Sequence, residues 1–422
     1  GDDFRLCLVG AGLAAAGIAD ELRETAVSVT VLEKSRGVGG RAATRRNDGC
    51  RYDHGANYIK DSDDRPVELL KSLGEDGLVD IEKPVWPFEA DGTISESDRP
   101  EAHKWTWEAG ITQLAKRLFG RTDAEISYQT RVDSLTNDSD AWHLTDTDGD
   151  EHGPFDAVVL TPPAPQTADL LRATEFTDEI DGENIDGREG DGGEIDGEDV
   201  DGREGDGGET DGEESDSVEA QFGAAAEAVD SVPYRTIRTV VLHYPFEFEK
   251  PYYALVNSDY EHDIGWLSRE SCKPGHVPDG ESLLVAQMAP NWSTATYDDS
   301  LEAISGEVAE MVAQLLGDDR LRDPDWVDDQ GWRYALPDAA VDTDKTDPLA
   351  AHGLYVAGDW VVGEGRAHEA LWNGVAVGER IAAGPSPFVR VLVRWQLAVW
   401  YDHPPARSAR SAGGVARPAP AG

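Results

Sequence analysis

Apolar positions along this chain alternate between short unbroken runs and helical spacing. Leu6-Cys7-Leu8-Val9 is an unbroken run, Ile18 to Arg23 has helical spacing, and Val27 to Leu32 is a β-branched run that ends at Glu33. A third run, Ala157 to Leu160, is stopped by Pro162-Pro163. Runs of this kind suit strands of a parallel sheet covered on both faces. Ile111, Leu114, Ala115 and Leu118 predict a helix over 110–118, and β-patterned stretches follow at 124–132 and 141–145. Further on the period changes. Tyr234 to Tyr244 alternates, as a half-covered strand does, and Ile264 to Ser268 and Ser282 to Met288 read as strands of the same sheet. Leu301, Ile304, Val308, Met311, Val312 and Leu315 mark an amphipathic helix over 300–316. Trp332 to Ala335 begins a passage back to the first unit. Gly353 to Trp360 reads as a strand, followed by a helix through Ala370, Leu371, Val375, Ala376 and Ile381. Residues 61–109 show no clear period, and Trp86, Phe88, Trp105 and Trp107 there are read as core. The pattern predicts an α/β protein with a parallel unit and a second unit of further strands and an amphipathic helix.

Composition changes this picture in one stretch. Residues 178–216 hold 19 acids and two arginines, with the pattern DGREGDGGE-x-DGE repeated at an interval of 15 residues. Such a stretch offers too little apolar surface to order itself, so 174–217 is expected to be a disordered acidic insertion. The 422-residue chain carries a formal charge of −47, and outside 178–216 there are still 65 acids against 35 bases. That balance excludes an ordinary nucleic-acid binder and predicts a protein suited to a high-salt cytoplasm, where counterions screen self-repulsion. Residues 385–422 turn basic and low in complexity, and are assigned no role. Cys7, Cys50 and Cys272 lack C-x-x-C spacing, which argues against zinc and disulfides. An acidic pair runs straight into the first strand, so no signal peptide is expected, and the apolar run 388–401 is too short and too charged for a membrane span.

Candidate chemistry gathers around the first strand. Gly10-Ala11-Gly12-Leu13-Ala14-Ala15 follows it and opens the first helix: Gly10 suits a tight turn, Gly12 lets backbone approach a pyrophosphate, and Ala15 packs helix on strand. Glu33, 21 positions after Gly12, stands where an acid can bond ribose hydroxyls. These residues leave NAD and FAD both open. Lys34-Ser35-Arg36-Gly37-Val38-Gly39-Gly40-Arg41 adds a second glycine turn and two arginine forks for phosphate oxygens. Asp53-His54-Gly55-Ala56 offers small residues beside a flat ring. Gly358-Asp359 can accept from ribityl hydroxyls, with a helix N-terminus behind it aimed at an electron-rich ring. That late element favours FAD.

The chain resembles the renalase-like FAD-dependent oxidoreductases of the amine oxidase superfamily. The resemblance rests on residues 10–15, 33–41, 53–56 and 110–118, on Trp266 with Lys273-Pro274-Gly275, on Pro290-Asn291-Trp292-Ser293, and on Trp332-Arg333-Tyr334-Ala335 and Ala357-Gly358-Asp359-Trp360. It implies an α/β fold with a glutathione-reductase-like FAD-binding Rossmann domain from 1–60, 110–173 and 335–384, and a substrate domain from 61–109 and 218–334 built on a mostly antiparallel sheet plus helices. It also implies non-covalent FAD held by Gly10, Gly12, Leu13, Ala14, Glu33, Lys34, Arg36, Gly39, Gly40, Arg41, His54, Gly55, Ala56, Val132, Gly358, Asp359 and Ala370. A hydride would pass from a small organic substrate, a dihydronicotinamide or an amine, and dioxygen would be the acceptor. Neither a metal nor a catalytic base is expected. His54, Trp266, Tyr334, Trp360 and His368 are the candidates for the substrate face. The segment 363–374 departs from the group's usual run by carrying Arg366 and His368. Two other readings stand beside this one: an amine or carotenoid-type oxidoreductase on the same fold, which a long apolar tunnel would favour, and a flavin-binding protein without turnover.

Overall fold

A computed structural model describes residues 4–60, 64–97, 102–138, 141–177, 217–257, 259 and 261–384. The acidic repeat and the basic tail lie outside the described residues. Phe4–Val9 sits at the centre of a five-stranded parallel sheet, between Val27–Glu33 and Ala157–Leu160, with Glu125–Tyr128 and Leu354–Val356 at the two edges. By chain order the strands run 3-2-1-4-5, so the winding reverses beside the first strand. Ligands of such sheets bind at the carboxyl ends of the strands beside that reversal.

Both faces of the sheet are covered, which is why its strands read as unbroken apolar runs. Helices Leu13–Leu22, Thr112–Gly120 and Ala367–Ala382 lie on one face. Ala164–Arg172, Val218–Asp230 and a four-stranded sheet cover the other. The first and last helices cross at glycines. A Cβ on Gly374 would lie 2.1 Å from Ala14 O, and one on Gly17 would lie 2.6 Å from Leu371 O. This close crossing joins the two ends of the sequence.

The second unit is a six-stranded sheet in the order 326–337, 234–244, 282–288, 264–269, 254–257 and 85–88, antiparallel except for its last pair. Strand alternation divides its side chains. Val240, Leu242, Leu284, Ala286 and Leu267 pack with helix Leu301–Leu316. Thr239, Gln287, Trp266 and Ser268 lie toward residues 54–58.

Several local expectations need correction. The stretch 124–132 is broken at Tyr128 because Gln129 takes a φ of +57°, and Val132 starts a new strand. The strand expected to reach Trp360 ends at Val356, since Gly358 takes a φ of +153° and Asp359–Val362 forms a helical turn. Order extends to Thr174–Phe176, which pairs with Leu135–Asn137, and resumes in helix Val218–Asp230 rather than at Tyr234. Phe176 and Phe222 meet edge to face at 4.9 Å, so the two flanks of the acidic segment are held together.

Candidate active site

The first helix begins at the carboxyl end of the central strand. Gly10 has a φ of +95°, and a Cβ there would lie 2.7 Å from Thr161 Oγ1, whose hydroxyl donates to Val9 O at 2.7 Å. Gly12, at the helix start, brings no capping side chain, and the first turn contains no acid. The leading N–H groups and the positive end of the helix dipole therefore have no competing side-chain acceptor. A Cβ on Gly12 would meet nothing within 4 Å. The second glycine turn closes over the first: Gly39 N donates to Ala11 O at 2.9 Å, and Gly40 lies against Gly12 Cα. Glu33 accepts from Ala11 N at 2.6 Å and Ser35 N at 2.7 Å, leaving lone pairs for ribose hydroxyls. Val132 is buried in the same hydrophobic cluster as Leu32. Lys34 and Arg36 are exposed, with Lys34 Nζ 3.4 Å from Gln166 Oε1. This cradle fits a dinucleotide.

Arg41 crosses from the second glycine turn to the C-terminal element. Its guanidinium donates to both oxygens of Asp359, at 2.7 and 2.9 Å, and to Ala335 O at 2.8 Å. The two residues expected to meet phosphate and ribityl groups separately thus face each other. The backbone of Arg41 also holds the next loop. Arg41 O accepts from Ala56 N at 2.9 Å, and a Cβ on Gly55 would lie 2.0 Å from it. Gly358 N donates to Asn373 Oδ1 at 2.9 Å, and Ala370 sits half-buried in the first turn of the last helix.

Beyond Gly55, the six-stranded sheet supplies a wall. Thr239 Oγ1 and Trp332 Nε1 donate to His54 O at 2.8 and 3.1 Å, and Gln287 Nε2 donates to Gly55 O at 2.7 Å. The His54 ring lies 5.3 Å from that of Trp332. Burial, with Arg45 nearby, pulls its pKa down to about 4, so the imidazole is neutral near pH 7. Tyr58, Tyr253 and Trp266 form an aromatic triangle with centroids 6.2 to 6.3 Å apart. Trp266 Nε1 and Tyr253 Oη are buried there without hydrogen-bond partners among the described residues. His368, in the first turn of the last helix, lies 3.4 Å from Glu369. Tyr334 packs edge-on against Tyr234 at 5.6 Å. Trp360 is fully buried and donates to Pro162 O, so it has no surface with which to touch a substrate.

Beneath this wall lies a buried charge network that pattern reading missed. Lys273 Nζ is 2.9 Å from both Asp53 Oδ2 and Glu270 Oε1, and all three side chains are fully buried. Burial opposes the Lys273 ammonium, but Asp53 and Glu270 outweigh it and hold its pKa well above the usual lysine range. Burial likewise opposes the Asp53 carboxylate, and Lys273 with His276 brings its pKa below the usual range. His276 Nε2 faces Trp107 O at 3.0 Å, and Nδ1 faces Glu270 Oε2 at 2.8 Å. The His276 ring is thus held between a carbonyl oxygen and a carboxylate oxygen. Asp53, His276 and Glu270 would otherwise suit a metal ion, but the Lys273 ammonium already bridges two of them. The sequence signal was Lys273-Pro274-Gly275; its pairing across 220 positions was not visible there. A cleft of about 290 Å³ near Leu70, Leu78 and Trp105 lies elsewhere and shares no residue with the cradle.

Residues 8–73 match the model of the NAD(P)-binding Rossmann-like domain, and residues 216–382 match that of flavin containing amine oxidoreductases. A protein from Exiguobacterium sp. 255-15 assigned as a protoporphyrinogen oxidase is similar over 90% of this chain and 99% of its own, at 15% identity and a TM-score of 0.65. Putrescine oxidase bound to putrescine gives the same coverages at 12% identity and a TM-score of 0.62. A fatty acid isomerase from P. acnes that produces CLA gives them at 13% and 0.60. At such identities the solved structures speak for the fold alone.

Proposed function

This chain is an FAD-dependent oxidoreductase of the flavin-containing amine oxidase kind, and we propose that it takes a hydride from a small, flat organic substrate in the manner of the renalase-like group. Bound FAD supplies a two-electron acceptor for that hydride, with dioxygen the proposed final oxidant and hydrogen peroxide the product. Gly10, Gly12, Leu13, Ala14 and Glu33 would hold the ADP half, with Val132 beside it. Gly39, Gly40 and Arg41 would hold the pyrophosphate, and Gly55, Ala56, Gly358, Asp359 and Ala370 the flavin half.

One observation carries the substrate reading: the wall facing Gly55 is built from rings and neutral donors, with His54 itself uncharged near pH 7. Such a wall orients a flat substrate and excludes water. Hydride transfer needs that alignment more than it needs an acid-base pair. We rank dihydronicotinamide-type donors first and amines second. The test is anaerobic addition of dihydronicotinamide isomers and of amines to the yellow holoprotein. Bleaching by dihydronicotinamides is the expected outcome; bleaching by amines alone would overturn the ranking, and failure to take up FAD would overturn the whole reading.

A further inference from the structure

We propose that Cys50, His243 and Glu281 form a binding site for one zinc ion, distinct from the flavin site. They come from the strand Cys50–Asp53, the end of the strand Tyr234–Tyr244, and the turn before Ser282–Met288. One ligand atom from each lies within 4.8 Å of the others. Cys50 and His243 are buried, and the Glu281 side chain, 35% exposed, leaves an entry path. His243 is oriented as a ligating imidazole should be. Its Nε2 is 3.0 Å from Glu281 Oε2, while Nδ1 has no hydrogen bond and faces Asp325 Oδ2 at 3.5 Å. Metal-bound histidines typically donate their second N–H to a carboxylate, and Asp325 lies on that side of the ring, beyond hydrogen-bond geometry. The ring is also held flat on Trp326, at 4.9 Å and 6°.

The donor set decides the ion. Thiolate, imidazole and carboxylate together suit zinc rather than magnesium or calcium. Zinc bonds of about 2.0 to 2.3 Å would hold the three ligand atoms on one centre. Binding displaces the thiol proton and leaves a fourth position for water. The ion would tie the hairpin leading to Asp53 onto the large sheet.

The full-length holoprotein, stripped of metal with a chelator, would be titrated with zinc chloride by calorimetry and with cobalt(II) by near-ultraviolet absorption. One ion per chain is expected, with a thiolate-to-cobalt charge-transfer band that Cys50→Ser abolishes. Absence of stoichiometric zinc uptake, or a Cys50→Ser protein that binds zinc as tightly as the parent, would overturn the proposal. Should Cys50→Ser fail to fold, as judged from its flavin spectrum, Glu281→Gln replaces it. That variant is expected to bind zinc about tenfold more weakly or worse with its flavin spectrum unchanged, and equal affinity would overturn the proposal.

Discussion

Among the described residues, the two buried carboxylates that Lys273 holds have no other cation at ion-pair distance except His276. Replacing Lys273 with methionine keeps the volume, strands Asp53 and leaves Glu270 with His276 alone. Breaking a buried pair in this way costs about 3 to 5 kcal/mol. Lys273→Met should therefore lower the urea midpoint sharply, and a midpoint near that of the parent would show that the carboxylates take up protons without penalty. His54 gives a second residue-scale expectation. Its pKa is about 4 folded against 6.5 ordinarily, so between those values the unfolded chain binds the extra proton. Stability from this group is complete above about pH 6.5 and falls as pH drops toward 4, by about 3 kcal/mol at most. His54→Gln should flatten that part of the pH-stability curve. At this scale Glu33 was readable from its distance to Gly12, because nucleotide spacing is local. The Arg41–Asp359 pair was not, since both residues were read as facing a ligand rather than each other.

Among the elements, the crossing of the first and last helices is the least tolerant contact. A methyl on Gly374 would run into Ala14 backbone, which can yield only if the helices separate. Gly374→Ala should cost at least the about 1 to 3 kcal/mol of core overpacking and also loosen FAD, since Gly12 and Ala370 sit at the starts of the two helices. Thermal melting and flavin retention on a desalting column would check both effects. Gly306, exposed in helix Leu301–Leu316 with nothing within 4 Å of a built Cβ, is the control: Gly306→Ala should stabilise by about 0.5 to 1 kcal/mol. Long periodic elements such as 234–244 and 301–316 were legible in the sequence. Helices Asp64–Ser72, Ala164–Arg172 and Val218–Asp230 went unread, the last because its buried face is largely Ala225, Ala226 and Val229, which give a faint period beside Phe222.

For the whole molecule, charge is the dominant quantity. At −47 the folded state repels itself, so we expect stability to rise through a potassium chloride series followed by circular dichroism, and full stability in dilute buffer would argue against a high-salt origin. Among the described residues no helix is long and apolar enough to cross a membrane. Fold class was readable because unbroken and alternating runs separate the two sheets, whereas their mutual placement depends on contacts such as Gln287 with Gly55, 232 positions apart. The meeting of Phe176 with Phe222 has a practical consequence. Thr177 and Ser217 lie one and five residues from the two rings that meet, so the chain between them can be exchanged without drawing the sheets apart. Replacing 178–216 with a short glycine-serine link should leave the flavin spectrum unchanged. The same position is then a port through which a fluorescent or affinity domain can be carried by the enzyme, its two ends already held side by side.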